Sequence, residues 1–482
     1  MKKIFLTLTL VLVLALVACS TTTSSQASAT QSASAQTTVS VQSSASSNIS
    51  APPGGGNPPA GAPPSGGSTG SDASTAMASA TGAYTLNGGS ASLESQTYSA
   101  SNADESAILV TNGGTFTLKD TTITSSGNTS SQENSSFYGL NAGVLATSGS
   151  TIDLSGSTIT TTGTGANAAF ATGSGSTVNL TNATINASAD GAHALMATQS
   201  GTMTITNVYM TTAGASSSAI ATDRGGGTIT VTGGTVKTSG MNSAGIYSTG
   251  NITVTNGTFI SDGAEAAVIE GGNSITLNDT SLTSNKAGKW GVMIYQSMSG
   301  DAEGTQGTFK MIGGSLAYTG TDGPLFYVNN STAIINLRGV DINAASGILV
   351  KAAAGNWGTS GSNGGTVILT ADGQTLAGNL VADNISSITL TLQNGSSLNG
   401  AINTEKTARA ANLTLDSGST WTVTSDSYLT GFSDASGISG TIITNINGNG
   451  YTVYYDASLV ANSSLGGKTY TLTGGGTLEP IN

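Results

Sequence analysis

From Phe116 to Ile342 the apolar and polar positions follow one rule that keeps returning. An apolar residue is followed by any residue, a second apolar residue, any residue, and then Gly, Asn or Asp. Two further residues of any kind lead to a third apolar position. The first position is held in turn by Phe116, Ile152, Val178, Met203, Ile229, Ile252, Ile275, Phe309 and Ile335. The fifth is Asp120, Gly156, Asn182, Asn207, Gly233, Asn256, Asp279, Gly313 and Gly339, with no exception. Alternation with a period of two predicts short half-buried strands. Gly, Asn and Asp are the residues that accept a left-handed backbone, so each strand is expected to end in a sharp bend. Most copies lie about 23–26 residues apart, within the range of solenoid repeats.

A second motif precedes many copies: AGVLAT from Ala142, HALMAT from His193, SAIAT from Ser218, AGIYST from Ala244 and AAVIE from Ala266. Each repeat therefore holds at least two strands and their turns, and no stretch between copies shows a helical apolar period. A meander of hairpins does not require the same register in every copy. A parallel β-helix does, because equivalent residues stack about 4.8 Å apart on successive coils. The pattern thus predicts an all-β, single-stranded parallel β-helix. Adding looser turns at Val367, Leu390 and Leu413 gives about 12 coils over residues 81–430 and a rod of roughly 55–60 Å. Residues 431–482, with GTIITNI, YTVYYD and KTYTLTGG, read as a C-terminal β cap.

The start of the chain is different in kind. Lys2 and Lys3 precede an apolar run that reads as a secretory signal over residues 1–18. Leu16-Val17-Ala18-Cys19 resembles the lipobox of bacterial lipoproteins, and Cys19 is the single cysteine. The resemblance implies that Cys19 is diacylated, becomes the mature N-terminus and anchors the chain in a membrane. A lone Cys also excludes disulfides within the chain. Residues 19–80 are a Ser/Thr/Ala-rich and then Pro/Gly-rich stretch, with APPGGGNPPAGAPPSGG at 51–67, which predicts a disordered tether. A tethered rod on a lipid suggests a bacterial cell-surface location, on the outer leaflet of the plasma membrane or on an outer membrane.

Composition narrows the chemistry. Net charge is −12 with only 8% charged residues, which disfavours binding to nucleic acid through charge. Polysaccharide-cleaving β-helices need clustered carboxylates and a basic group. This chain has three Arg (Arg224, Arg338, Arg409), one His, no Asp-Asp pair and no Gly-His-Gly. His193 reads as a surface or strand-end residue, and Asp301 and Glu303 as parts of a solvated loop. The expectation is no catalytic residue, no metal and no cofactor, with a polysaccharide-active enzyme or a purely structural rod as the alternatives. Thr204/Thr206, Thr230/Thr232 and Thr253/Thr255 are aligned Thr-x-Thr pairs, as on ice-binding solenoids, but Asp153, Asn179, Asn278 and Lys310 border them. Thr is also a good strand residue.

Three coils are long: Phe116 to Ile152, Ile275 to Phe309, and Ile335 to Val367. Insertions in repeat proteins emerge on one face, often the binding face. Only 5% of the residues are aromatic, yet Phe137, Tyr138, Trp290, Tyr295 and Trp357 fall in these insertions, with Tyr318, Phe326 and Tyr327 between the last two. Trp290, Tyr295, Tyr318, Tyr327 and Trp357 are the candidate contact residues for a glycan or protein of a host or bacterial surface; the alternative is that they pack against the rod.

Asn412–Leu429, NLTLDSGSTWTVTSDSYL, together with Ser386–Asn403, SSITLTLQNGSSLNGAIN, resembles the C-terminal coils of pertactin-like autotransporter passengers and related bacterial β-helix adhesins. The matching features are Leu413/Leu415, the Asp-Ser-Gly-Ser turn, Trp421 and Ser-Tyr-Leu at 427–429. The resemblance implies a right-handed, pectin-lyase-like helix and an adhesive role. It departs from that family in lacking a translocator barrel after the rod.

Overall fold

The computed structural model describes residues 80–434 and 436–481; the expected signal over residues 1–18, Cys19 and nearly all of the expected tether lie outside them. The described chain is an all-β parallel solenoid of about 16 turns. Every one of the nine motif copies stacks on the next in the expected register: Phe116 on Ile152, Ile152 on Val178, Val178 on Met203, Met203 on Ile229 and Ile229 on Ile252. Ile252 lies on Ile275, Ile275 on Phe309 and Phe309 on Ile335. These residues are fully buried in one core that runs the length of the stack. The strand after each bend adds the third apolar position, for example Ile159, Ile185, Met210 and Val236, in the same core.

All nine fifth positions have positive φ, from 46° at Asp279 to 69° at Gly233. A left-handed backbone costs an ordinary L-residue roughly 1–2 kcal/mol. That penalty, repeated at each turn, explains why all nine copies carry Gly, Asn or Asp there. The column continues into Ser95, Gly373 and Asn394, also at positive φ.

Two differences from expectation concern counting and register. The count of about twelve coils omits an N-terminal turn, Thr81–Ala100, in which Ala91 stacks on Phe116. It also omits turns beyond 430, where Tyr428 stacks on Tyr454 and Tyr454 on Glu479. Near the third insertion Leu369, not Val367, continues the Ile335 column, and Val367 lies on Ala333. Gly373 at φ 58° is the fifth position counted from Leu369. Leu390 and Leu413 keep their predicted places. The end of the chain is closed by an antiparallel hairpin, Tyr470–Thr473 with Thr477–Pro480.

The second motif forms a separate wall, a twelve-stranded parallel sheet that begins at Thr81–Asn87 and ends at Asn379–Ala382. Its central strands, such as Ala169–Thr172, Leu195–Thr198 and Val292–Tyr295, are buried on both sides. Strands of the motif wall alternate instead, as Gly227–Thr232 does, with every second residue exposed. One wall is thus covered and the other is open to solvent.

Candidate functional site

Residues on the outward side of the covered wall stack as Leu145, Phe170, Met196, Ala221, Tyr247, Val268, Met293 and Tyr327. With Tyr295 and Ala353 they form a second apolar cluster outside the main core. All three insertions close over it. The first contains a short helix, α1 (Gln132–Tyr138), which the apolar pattern did not predict. The Ser131 side chain caps it by accepting from the Asn134 N–H, and Gly139 ends it at φ 77°. Phe137 and Tyr138 are buried, and Thr198 donates to the Phe137 carbonyl at 2.7 Å.

The second insertion, residues 296–305, is folded by Gln296, whose amide donates to the carbonyls of Ala302 (3.0 Å) and Gly304 (2.6 Å). The third, residues 353–365, is held by Asn363 donating to the carbonyls of Gly355 and Trp357, both at 2.9 Å.

Beneath these loops lies a cluster that the sequence reading passed over. Glu270 is 2% exposed. Its Oε2 accepts from the hydroxyls of Tyr247 and Tyr295, and its Oε1 from Ser297 on the second insertion. Burial raises the Glu270 carboxyl above its ordinary range, against these three bonds, which favour its ionised form. Burial also pushes the Tyr247 and Tyr295 hydroxyls well up, and the neighbouring Glu270 adds to it. Asp223 sits two strands away in the same column and is raised well above the usual range by burial and then by Asp301.

Arg224 joins the covering elements. Its Nη1 donates to Glu133 of α1 and its Nη2 to Asp301 of the second insertion, both at 3.1 Å. Its guanidinium carbon lies 3.9 Å from the centre of the Phe137 ring. Asp301 therefore pairs with an arginine rather than facing solvent alone. A second ion pair lies at the entrance to the same wall. Lys289 Nζ is 3.8 Å from Glu265 Oε1 and donates to Asn242 at 3.0 Å. Burial pushes Glu265 up to about 7 and lowers Lys289.

The five predicted contact residues fall into two groups. Trp290 stacks on Tyr327, centroids 4.2 Å apart and planes 18° apart. Trp357 lies 6.0 Å from Tyr295 at 46°. Both tryptophans keep part of their surface in solvent, whereas Tyr295 and Tyr327 are buried beneath them. Tyr318 stands apart in the main core, fully buried, with its hydroxyl 2.9 Å from Asp322. It continues an inward column of small hydroxyl residues, Ser261 and Ser284, and so packs within the rod.

His193 ends the turn before Leu195–Thr198 but is buried rather than on the surface. Its Nδ1 lies 3.0 Å from the Ser218 carbonyl, and burial pushes it down to about 4. Arg224, Asp223, Glu270 and Tyr247 were legible only through the second motif: Thr147, Thr172, Thr198 and Thr249 share a column in which Asp223 and Glu270 replace Thr.

Among the described residues no group of three or more His, Cys, Asp or Glu is arranged for a metal ion. Among the described residues no helix is long and apolar enough to cross a membrane. Open concavities lie away from Glu270. One of about 330 Å³ on the motif wall is lined by Lys310, Ile312, Asn336, Arg338, Asp372 and Gln393. Comparison with family models, with curated proteins and with solved structures returns no match for this chain.

Proposed function

We propose that the chain is a non-catalytic recognition rod of a bacterial cell surface, adhesin-like in role and anchored in the membrane through a lipidated Cys19. Its partner in this reading is a glycan or protein on a host or bacterial surface. The observation that carries it is the seating of Trp290 and Trp357: each keeps a partly exposed indole against a buried tyrosine. A flat aromatic fixed from behind offers contact area at little cost in side-chain entropy. The right-handed, pectin-lyase-like form of the coils and the lipid anchor rest on the resemblances drawn from the sequence.

Beads coated with the chain are tested for attachment to host cells, glycans and bacterial surfaces. Saturable attachment to one class, lost in Trp290→Ala or Trp357→Ala, is the expected result. Attachment to none favours a structural rod.

A polysaccharide-active enzyme is favoured by one observation. Asp223 and Glu270 share a column at two strand spacings, roughly 10 Å, and both carboxyls are raised. Glu270 is buried and Asp223 half-buried, and Glu270 is closed in by Tyr247, Tyr295 and Ser297, which weighs against catalysis. Release of new reducing ends or unsaturated uronates, abolished by Glu270→Gln, would overturn the non-catalytic reading. Ice binding has less support: the Thr204, Thr230, Thr253, Thr276 column is bounded by Asn179 and Lys310.

A further inference from the structure

The two ends of the solenoid are built differently. At the C-terminal end the hairpin of residues 470–480 folds back across the last turn. Asn462 ties a short 3-10 helix there, donating to the carbonyls of Thr430 (2.8 Å) and Asp456 (2.7 Å) and accepting from the Phe432 N–H (2.9 Å). At the N-terminal end the first turn consists of three strands, β1 (Thr81–Asn87), β2 (Ser90–Glu94) and β3 (Thr97–Ala100). Each pairs on one side only, with the strand of the next turn. Among the described residues nothing pairs with their other edges.

The apolar floor at this end is also incompletely covered. Tyr84, Leu86, Ala91 and Tyr98 pack on the core but are only partly buried, and Leu93 is 40% exposed. Tyr84 stacks on Phe116 at 5.0 Å and meets Tyr98 edge-on at 5.2 Å. Natural sheets guard such edges with charge, proline or a cover. Here the only charged residue of the turn's strands is Glu94, and Lys119 neutralises it at 2.8 Å.

The preceding chain is a poor candidate for the missing cover. Tyr84 stacks on Ile108, so one turn here takes 24 residues. The 24 residues before β1, Asn57–Ala80, include Pro58, Pro59, Pro63 and Pro64 and a single large apolar residue, Met77. Their composition offers few apolar positions for the alternating strands of another turn.

We propose that the first turn is a self-association surface on which two copies of this chain meet head to head. A two-fold axis perpendicular both to the solenoid and to β1 reverses the strand direction, so β1 pairs antiparallel with β1 of the other copy. The surface is then self-complementary, as an isologous interface requires. The closed C-terminal end leaves no edge for head-to-tail growth, so association stops at two.

The test uses the full chain carrying Cys19→Ser, so that acylation cannot cluster copies, with molar mass read by light scattering over a dilution series. The expected result is twice the chain mass, falling to one chain mass in Ala83→Lys. Ala83 is an exposed residue of β1, so the variant sets like charges face to face without touching the core; an unchanged Tm confirms that it folds. Mild oxidation of Ala83→Cys in the same background is expected to give covalent dimers. A single chain mass at every concentration, a mass indifferent to Ala83→Lys, or growth beyond two copies would overturn the proposal. Each outcome is independent of whether the rod binds any surface.

Discussion

The covered wall and the motif wall are made of the same stacked backbone, yet they obey different rules. On the motif wall the outward residue of each turn is Asp, Asn, Thr or Lys, as in the column Asp153, Asn179, Thr204, Thr230, Thr253, Thr276 and Lys310. On the covered wall the outward residue is Leu145, Phe170, Met196, Tyr247 or Met293. The inward residues of both are apolar. Stacking alone therefore does not decide what lies outside a solenoid wall; the insertions do, by removing one wall from water. On the covered wall burial shifts the pKa of Glu270, whereas on the open wall Lys119 is raised by its partner Glu94.

The largest expected effect comes from truncating the outward side of each wall. Phe170→Ala leaves a cavity beneath α1 and is expected to cost about 3–5 kcal/mol. Thr204→Ala, outward on the motif wall, is expected within about 0.5 kcal/mol of the native chain. Chemical unfolding of both variants measures this, and equal costs would erase the distinction between the walls.

Next in size is the response to pH expected from two buried groups beside the covered wall, His193 and Glu265. His193 is held at about 4 against an ordinary 6.5. Between those values the unfolded chain binds a proton that the folded chain refuses, so His193 lowers stability as pH falls from 6.5 to 4. Glu265 is held at about 7 against an ordinary 4.5. There the unfolded chain ionises first, so Glu265 lowers stability as pH rises from 4.5 to 7. Each slope is about 1.4 kcal/mol per pH unit, and between 4.5 and 6.5 the two oppose each other. His193→Gln should gain on the native chain toward pH 4, and Glu265→Gln toward pH 7.5, by about 3 kcal/mol each. Melting temperatures across pH read this directly; parallel curves for native and variant would refute it.

Smaller still is the effect expected at the bend between the two strands of the motif wall. Asn256 has φ 57°, so Asn256→Ala is expected to cost about 1–2 kcal/mol and Asn256→Gly far less. The smallest effect is expected at Arg224, which is 37% exposed. Arg224→Ala should lower stability by no more than about 1 kcal/mol while increasing protease cleavage within residues 296–305. Unchanged cleavage would mean that the insertion holds its place without the arginine.

The motif wall was readable in the sequence because its signal is repeated and local. An alternating strand and a left-handed residue recur with the turn, and nine copies average out the noise at any one. Where the signal was interrupted the reading slipped, as at Val367, two residues from the true column at Leu369. The first turn was missed because Ser95 holds the left-handed position that Gly, Asn or Asp holds elsewhere.

The covered wall was readable in part. LMAT and AVIE are apolar on both sides of the strand, a pattern that means burial on both faces. What they pack against came from insertions that do not repeat. α1 has seven residues, too few for a period of 3.6 to emerge. Nothing in the spacing of Glu133, Arg224 and Asp301 along the chain signals that they meet, since those contacts span 91 and 77 residues.

That three-way contact bears on how the rod yields to force. In a stack of repeats each turn touches only its neighbours, so tension on one end is expected to peel turns off singly. Glu133 belongs to the insertion before the Val144–Ala146 strand, Arg224 follows Ile220–Thr222, and Asp301 follows Val292–Tyr295. One guanidinium thus links parts of the stack that are several turns apart. Pulled from its N-terminus, such a chain should shed its first two turns one by one and then meet a small added resistance while the arginine holds. A single-molecule force trace would record even steps with one modest rise among them, absent in Arg224→Ala.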